Sequence, residues 1–386
     1  MSYLRSLLLL FSFIGLLGNA CHLLGQQTFP DSIVHDGMFR SFLLYVPASY
    51  TGQDSVPLLL NYHGYGSNSI EQMLYGDFRP LADSFGFILV QPQGMPLNGV
   101  FHWNVGGWTV GSTIDDIGFT SDLIDTLAAR YTIDTDRVYS TGMSNGGFMS
   151  YQLACQLGDK IAAIASVTGS MTPEIFNDCT PAHPTPILQI HGTVDPVIPY
   201  NGNFFSKSMD EILTYWKDFN QCNDTATTVS LPNLSQIDGS TVERITYDGG
   251  LDGTVVEHLK ITGGAHTWPG TVFISAGTNL DIDGSAEIWA FLSQYELSSF
   301  SPTTSVEPEQ LASDPLQLYP NPTKGMVRLA WDQAAPRDLL LTDLSGKILL
   351  REKSLGQQHA LQLDRFPAGI YVLQVGGHFH KIVREN

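Results

Sequence analysis

The chain has 386 residues, 43% of them hydrophobic and 11% aromatic, enough for a sizeable core and too many for one ordinary domain. Against 19 Lys+Arg stand 38 Asp+Glu, and the resulting net charge of −19 excludes nucleic acid and anionic lipid as natural partners. The charge is uneven: the first twenty residues carry +1, residues 316–386 carry +3, and the stretch between them carries −23.

Residues 1–20 hold Arg5, a short apolar run and the small residues Gly18 and Ala20, the pattern of a secretory signal peptide cleaved after Ala20. The apolar run falls short of the roughly 20 residues of a membrane span. Lipidation of Cys21 is an alternative, but Asn19 stands where a lipobox has a small residue. Export makes the cysteines disulfide candidates. Cys155 and Cys179 are the expected pair, with Cys222 left over; no Cys-x-x-Cys or histidine cluster supports a structural metal.

From residue 28 to 297, strand-like apolar runs at 42–46, 58–62, 87–91, 137–141, 162–167, 187–191 and 256–261 alternate with helical stretches such as 121–131 and 210–219. This alternation predicts an α/β fold, a mostly parallel sheet with helices on both faces. A last helix is marked by Ile288, Phe291, Leu292 and Tyr295 on one stripe. Residues 298–315 read as a Ser/Thr/Pro-rich linker. Beyond it, short alternating runs at 327–331, 339–342, 347–350, 360–363, 370–375 and 381–383 predict a small all-β sandwich over 316–386.

One segment carries chemistry on its own terms. A strand runs into Gly142-Met143-Ser144-Asn145-Gly146, and a helix follows. A sharp strand-to-helix turn exposes the Ser144 hydroxyl and leaves the Asn145 amide at a helix N-terminus. A serine hydroxyl needs a base to become a nucleophile. Asp195 and His266 each follow a predicted strand, in the order Ser, Asp, His, where open α/β sheets place their sites. Asp210 competes for the acid, and His258 and His183 compete for the base. An oxyanion needs two backbone donors: Asn145 supplies one, and Tyr65 in His63-Gly64-Tyr65-Gly66 is assigned the other. Trp268, Trp103 and Trp108 are candidates for a substrate-binding aromatic wall. Asp115-Asp116 reads as a buried turn held by hydrogen bonds rather than a metal site. Asp281-Ile282-Asp283-Gly284 fails as a calcium loop, because position 12 is Leu292 and not a glutamate.

Together with Asp115-Asp116-Ile117-Gly118-Phe119 and Gly264-Ala265-His266-Thr267-Trp268-Pro269-Gly270, these motifs resemble the α/β-hydrolase family of secreted polyhydroxybutyrate depolymerases and feruloyl esterases. The resemblance spans most of residues 21–297. It implies hydrolysis of a carboxylic ester through an acyl-enzyme without cofactor, with Ser144 as nucleophile, Asp195 as acid and His266 as base. The substrate stays open among polyesters, hydroxycinnamoyl-polysaccharides and small esters. A binding protein that kept the fold without turnover, or a peptidase on the same scaffold, are the competing readings. Leu318-Tyr319-Pro320-Asn321-Pro322, Asp343-Leu344-Ser345-Gly346-Lys347 and Pro367-Ala368-Gly369-Ile370-Tyr371-Val372 resemble the C-terminal sorting domain of type IX secretion cargo. That likeness implies the secretion machinery as a partner and a secreted or cell-surface protein, which is expected to act as a monomer.

Overall fold

The structure, a computed structural model, describes residues 27–301, 316–331, 336–343, 348–354, 356–375 and 378–385. The expected signal peptide, Cys21, most of the expected linker and the stretch 344–347 lie outside them. The chain divides into two compact units, with the boundary between Thr303 and Thr304.

The larger unit begins with a hairpin, β1 (Gln27–His35) and β2 (Met38–Val46), closed by Asp36-Gly37. Both turn residues have positive φ, 49° and 74°, as a two-residue type I′ turn requires. β3 (Val56–Tyr62), α1 (Ser69–Tyr75), α2 (Arg79–Phe85) and β4 (Ile88–Pro92) follow, then a small hairpin of β5 (Met95–Leu97) and β6 (Val100–His102). Next come α3 (Asp116–Arg130), β7 (Ile133–Met143), α4 (Asn145–Gln156), β8 (Ala163–Val167), α5 (Pro173–Asn177), β9 (Ile187–Gly192) and α6 (Met209–Phe219). The unit ends with β10 (Thr227–Ser230), β11 (Thr241–Tyr247), β12 (Val256–Thr262) and α7 (Gly284–Leu292).

Ten strands form one sheet in the order β1-β2-β4-β3-β7-β8-β9-β12-β11-β10. The six from β4 to β12 run parallel, and antiparallel strands finish both edges. The parallel strands read as continuous apolar runs because both of their faces are covered. Successive side chains divide between the faces: Leu58, Leu60, Val138, Ile164 and Ile187 join one core, and Leu59, Tyr139, Ala163, Ala165 and Leu188 the other. The first core is closed by α3, α4 and α6, through Phe119, Leu123, Phe148, Tyr151, Ile212 and Trp216. The second is closed by α7, through Ile288, Trp289, Phe291 and Leu292. Helix α7 stops at Leu292, so Tyr295 stands beyond the helix, where its carbonyl accepts from the Tyr139 hydroxyl.

Helix α3 starts at Asp116, five residues before the sequence pattern places it. The Asp115 carboxylate accepts the Gly118 amide and caps the helix. The expected turn here is half right: Asp116 is buried and pairs with Arg40, whereas Asp115 is an exposed cap. The Cys155–Cys179 disulfide is present, and Cys222 is a free thiol.

The smaller unit has two antiparallel sheets. β13 (Gln317–Tyr319), β14 (Met326–Ala330) and β17 (Gln358–Gln362) form one; β16 (Ile348–Ser354), β15 (Arg337–Asp343), β18 (Gly369–Val375) and β19 (His378–Arg384) form the other. Their inward residues, including Val327, Leu329, Leu341, Leu361 and Leu373, make one core.

Candidate active site

Ser144 joins β7 to α4 with φ 52° and ψ −120°, a conformation rare for a residue with a side chain. The flanking glycines make room for it. A Cβ at Gly146 would lie 2.1 Å from the Tyr62 carbonyl oxygen, and one at Gly142 would lie 2.6 Å from the Gly146 carbonyl. Asn145 is the first residue of α4, so its amide has no acceptor within the helix.

Asp195 follows β9 and His266 follows β12, the next strand of the sheet. Their loops are laced together by the Val194 amide to the Gly264 carbonyl (3.0 Å), Thr193 amide to Ile261 carbonyl (2.9 Å) and Gly263 amide to Thr193 Oγ1 (3.0 Å). Asp195 Oδ2 then lies 2.8 Å from His266 Nδ1, while Oδ1 accepts the amides of Val197 and Ile198. Burial pushes the Asp195 carboxyl up, but the hydrogen bond and charge of His266 with the Ile198 amide outweigh it, holding the carboxyl below its usual range. An ionised Asp195 only accepts, so Nδ1 of His266 carries a proton and Nε2 is left with its lone pair.

Ser144 and His266 line the same cavity, of about 530 Å³. Gly64 and Tyr65, beyond the end of β3, form another part of its wall. Gly64 is close to the elbow: a Cβ there would stand 3.5 Å from Ser144 Cβ. Among the described residues the Tyr65 amide has no hydrogen-bond partner, while Gly66 and Ser67 donate to the carbonyls of Phe101 and Gly64. The wall behind is pinned from three sides. The Gly94 amide donates to His63 Nε2 (3.0 Å), and Nδ1 of His63 lies 2.8 Å from the Gly64 carbonyl. Trp103 Nε1 donates to the His63 carbonyl (2.9 Å). The Trp103 backbone also pairs twice with the Asn145 side chain, at 2.7 and 3.1 Å. Burial lowers the His63 pKa to about 4, so its ring is neutral at ordinary pH.

The three tryptophans do not form the expected wall. Trp103 and Trp268 are 0% and 1% exposed, inside the cores, and Trp108 packs edge-on to Phe148. Their size and apolarity suit the interior better than a solvent-open cleft. Trp268 instead braces the end of α1, since a Cβ at Gly76 would lie 2.8 Å from its ring. The wall facing Ser144 is made of Met143, Leu74, Tyr75 and Phe273, with Tyr75 and Phe273 stacked at 6.4 Å between centroids. Of these, only Met143 had a sequence signal, its place beside the serine in Gly-x-Ser.

The competing residues are placed elsewhere. His258 is buried between the Tyr200 hydroxyl and the Gln189 carbonyl, and His183 stacks on Phe300. Asp210 is exposed in the first turn of α6. Asp281 is bound to the amides of Leu234 and Ser235.

Residues 113–235 match the phospholipase/carboxylesterase family, and residues 317–385 match the secretion system C-terminal sorting domain. Over 269 residues, 70% of the chain, it is 30% identical to a bifunctional acetylxylan esterase/xylanase of Neocallimastix patriciarum, of which it covers 35%. It is 29% identical to feruloyl esterase B of Piromyces equi, over 67% of the chain and 46% of that protein. The chain thus spans less than half the length of these two relatives. Among solved structures, an acetyl xylan esterase from Aspergillus awamori aligns with TM-score 0.50 at 14% identity, over 69% of this chain and 99% of that one, a likeness of fold. The chain therefore joins an α/β-hydrolase unit with carboxylesterase relatives to a secretion-system C-terminal sorting domain.

Proposed function

We propose that the protein is a secreted serine esterase that hydrolyses carboxylic esters through an acyl-enzyme. The observation that carries this reading is the Asp195–His266 hydrogen bond of 2.8 Å opening onto the same cavity as the strained Ser144 elbow. Ser144 attacks the ester carbonyl while His266 Nε2 takes its proton, and the imidazolium then gives that proton to the departing alcohol. Asp195 fixes the tautomer and stabilises the imidazolium. The amides of Asn145 and Tyr65 receive the oxyanion. Water, activated by the same histidine, releases the acid.

The cavity holds more than an acetyl group, and Leu74, Tyr75 and Phe273 give it apolar and aromatic walls. That chemistry favours a bulky planar acyl group over a short one. It agrees with the feruloyl esterase among the relatives better than with the acetylxylan esterase. The match to the sorting domain supports the secretion machinery as the partner for export.

The test is Ser144→Ala. It abolishes hydrolysis of p-nitrophenyl acetate and methyl ferulate and labelling by a fluorophosphonate, while circular dichroism stays that of the wild type. Retained turnover removes Ser144 from the mechanism. Offering methyl ferulate, p-nitrophenyl acetate and polyhydroxybutyrate in parallel ranks the acyl groups, and a preference for acetate overturns the bulky-acyl reading.

A further inference from the structure

Far along the chain from Ser144, the first hairpin meets the start of α3. His35 ends β1, Asp36 opens the turn, and Asp115 caps the helix. His35 is 8% exposed, and its Nε2 has no hydrogen-bond partner among the described residues. That nitrogen faces two carboxylates, 3.5 Å from Asp115 Oδ2 and 3.7 Å from Asp36 Oδ2. These spacings are too long for hydrogen bonds of ordinary strength. The two spacings from the imidazole suit ligands sharing one ion, since bonds of about 2.1 Å in a tetrahedron set ligand atoms about 3.4 Å apart, and all three ligand atoms lie within 4.8 Å of one another.

The other ring nitrogen is already committed. His35 Nδ1 lies 2.7 Å from Asp122 Oδ2, one helical face along α3 from Asp115. A carboxylate at that position accepts the Nδ1–H hydrogen bond and leaves the Nε2 lone pair facing the two acids, as the outer carboxylate of a metal-bound histidine does. Glycine at 118 makes the approach feasible, since a Cβ there would lie 2.2 Å from Asp115 Oδ2 and 2.8 Å from the His35 ring. The Asp115 carboxylate is divided accordingly: Oδ1 accepts the Gly118 amide and Oδ2 turns toward His35.

We infer that His35, Asp36 and Asp115 bind a divalent transition-metal ion of the zinc type, with Asp122 orienting the histidine. Two carboxylates and a neutral imidazole balance the ion's two charges. The imidazole ligand favours zinc over calcium or magnesium, which take oxygen. Asp36 and Asp115 are 67% and 51% exposed, so water can complete the coordination. The ion staples the β1–β2 turn to the N-terminus of α3, one residue from the buried Asp116–Arg40 pair. Sequence spacing conceals the set, because residues 35 and 115 meet only in the fold.

The full chain, treated with EDTA and dialysed, is titrated with zinc sulfate by calorimetry and by thermal melting. The wild type takes up one more ion than His35→Gln, and saturating zinc raises its Tm by about 5 °C. Asp36→Asn keeps the fold, since asparagine tolerates the positive φ of this turn, and weakens this zinc site tenfold or more. Asp122→Asn weakens it by about 10–100-fold. Zinc uptake identical in the wild type, His35→Gln and Asp36→Asn overturns the inference, as does no uptake at all. A Tm rise with calcium chloride equal to that with zinc overturns the choice of metal class.

Discussion

The two sides of the cavity are built by different means. On the acid–base side, Asp195 and His266 come from loops after adjacent parallel strands, and short backbone bonds between those loops set their distance. On the oxyanion side, Tyr65 and Asn145 likewise follow adjacent parallel strands, β3 and β7, but their segments are also clasped together through a third one. Their spacing depends on Trp103, which holds the His63 carbonyl with its ring and the Asn145 amide group with its backbone. Both sides stand beyond paired parallel strands; the first is tied by bonds between its own two loops, the second by a buried side chain contributed by a third segment. The acid–base side should therefore fail through its chemistry, and the oxyanion side through its scaffolding.

Breaking the acid–base side directly has the largest effect. Asp195→Asn leaves the geometry in place but can donate to Nδ1 of His266, which inverts the tautomer and deprives Ser144 of its base. A loss of about 10⁴-fold in kcat is expected, at unchanged melting temperature. A loss below tenfold removes Asp195 from the mechanism and returns Asp210 as the candidate.

On the other side, Trp103→Phe keeps an aromatic ring but removes the indole N–H and part of the buried volume, leaving the His63 carbonyl without that donor. We expect kcat to fall by about 10–100-fold with KM within twofold, because the oxyanion donors act only in the transition state. Trp103→His, which restores a ring N–H, recovers part of the loss. A rise in KM at constant kcat would instead place Trp103 in ground-state binding, as the sequence had suggested. Gly192→Ala probes the lacing of the first side. Its Cβ would sit 2.2 Å from the Gly264 carbonyl oxygen and force the two loops apart, costing about 1–3 kcal/mol in urea denaturation.

The same division explains what could be read from the sequence. The placement of Ser144, Asp195 and His266 just beyond strand ends was legible because each sits in a short motif there, and the sheet's continuous apolar runs marked those strands. The edge strands β1, β10 and β11 were not, since their exposed or half-buried residues lack that signature; β10 is exposed throughout. The tryptophans were misread because composition tells that a ring is large and apolar, not which side of a loop it faces. Tyr75 and Phe273 lie 198 positions apart, and only the fold stacks them. The place of Tyr65 in the cavity wall was reachable through its glycines, but the Trp103 clasp on the neighbouring His63 and on Asn145 was not.

A last prediction turns on acid and again divides the two sides. His63 has its pKa lowered from 6.5 to about 4 by burial, and its neutral Nε2 accepts the Gly94 amide. The unfolded chain binds this proton near pH 6.5 and the folded chain only near 4, so between those values the unfolded state holds more protons. The stability His63 contributes is complete above about pH 6.5 and drains away as pH falls to 4, at up to about 1.4 kcal/mol per pH unit. His258, also lowered to about 4 by burial, adds a loss of the same sign elsewhere in the unit. Asp195 behaves otherwise: its depressed pKa keeps it ionised through that window, and its contribution is lost only at lower pH. Acid therefore loosens the oxyanion side before it discharges Asp195. Urea denaturation at half-unit steps from pH 7 to 4 measures this. Against the wild type, His63→Asn should be less stable at pH 7 and show a slope flatter by about one proton; equal slopes would mean that His63 does not titrate with folding.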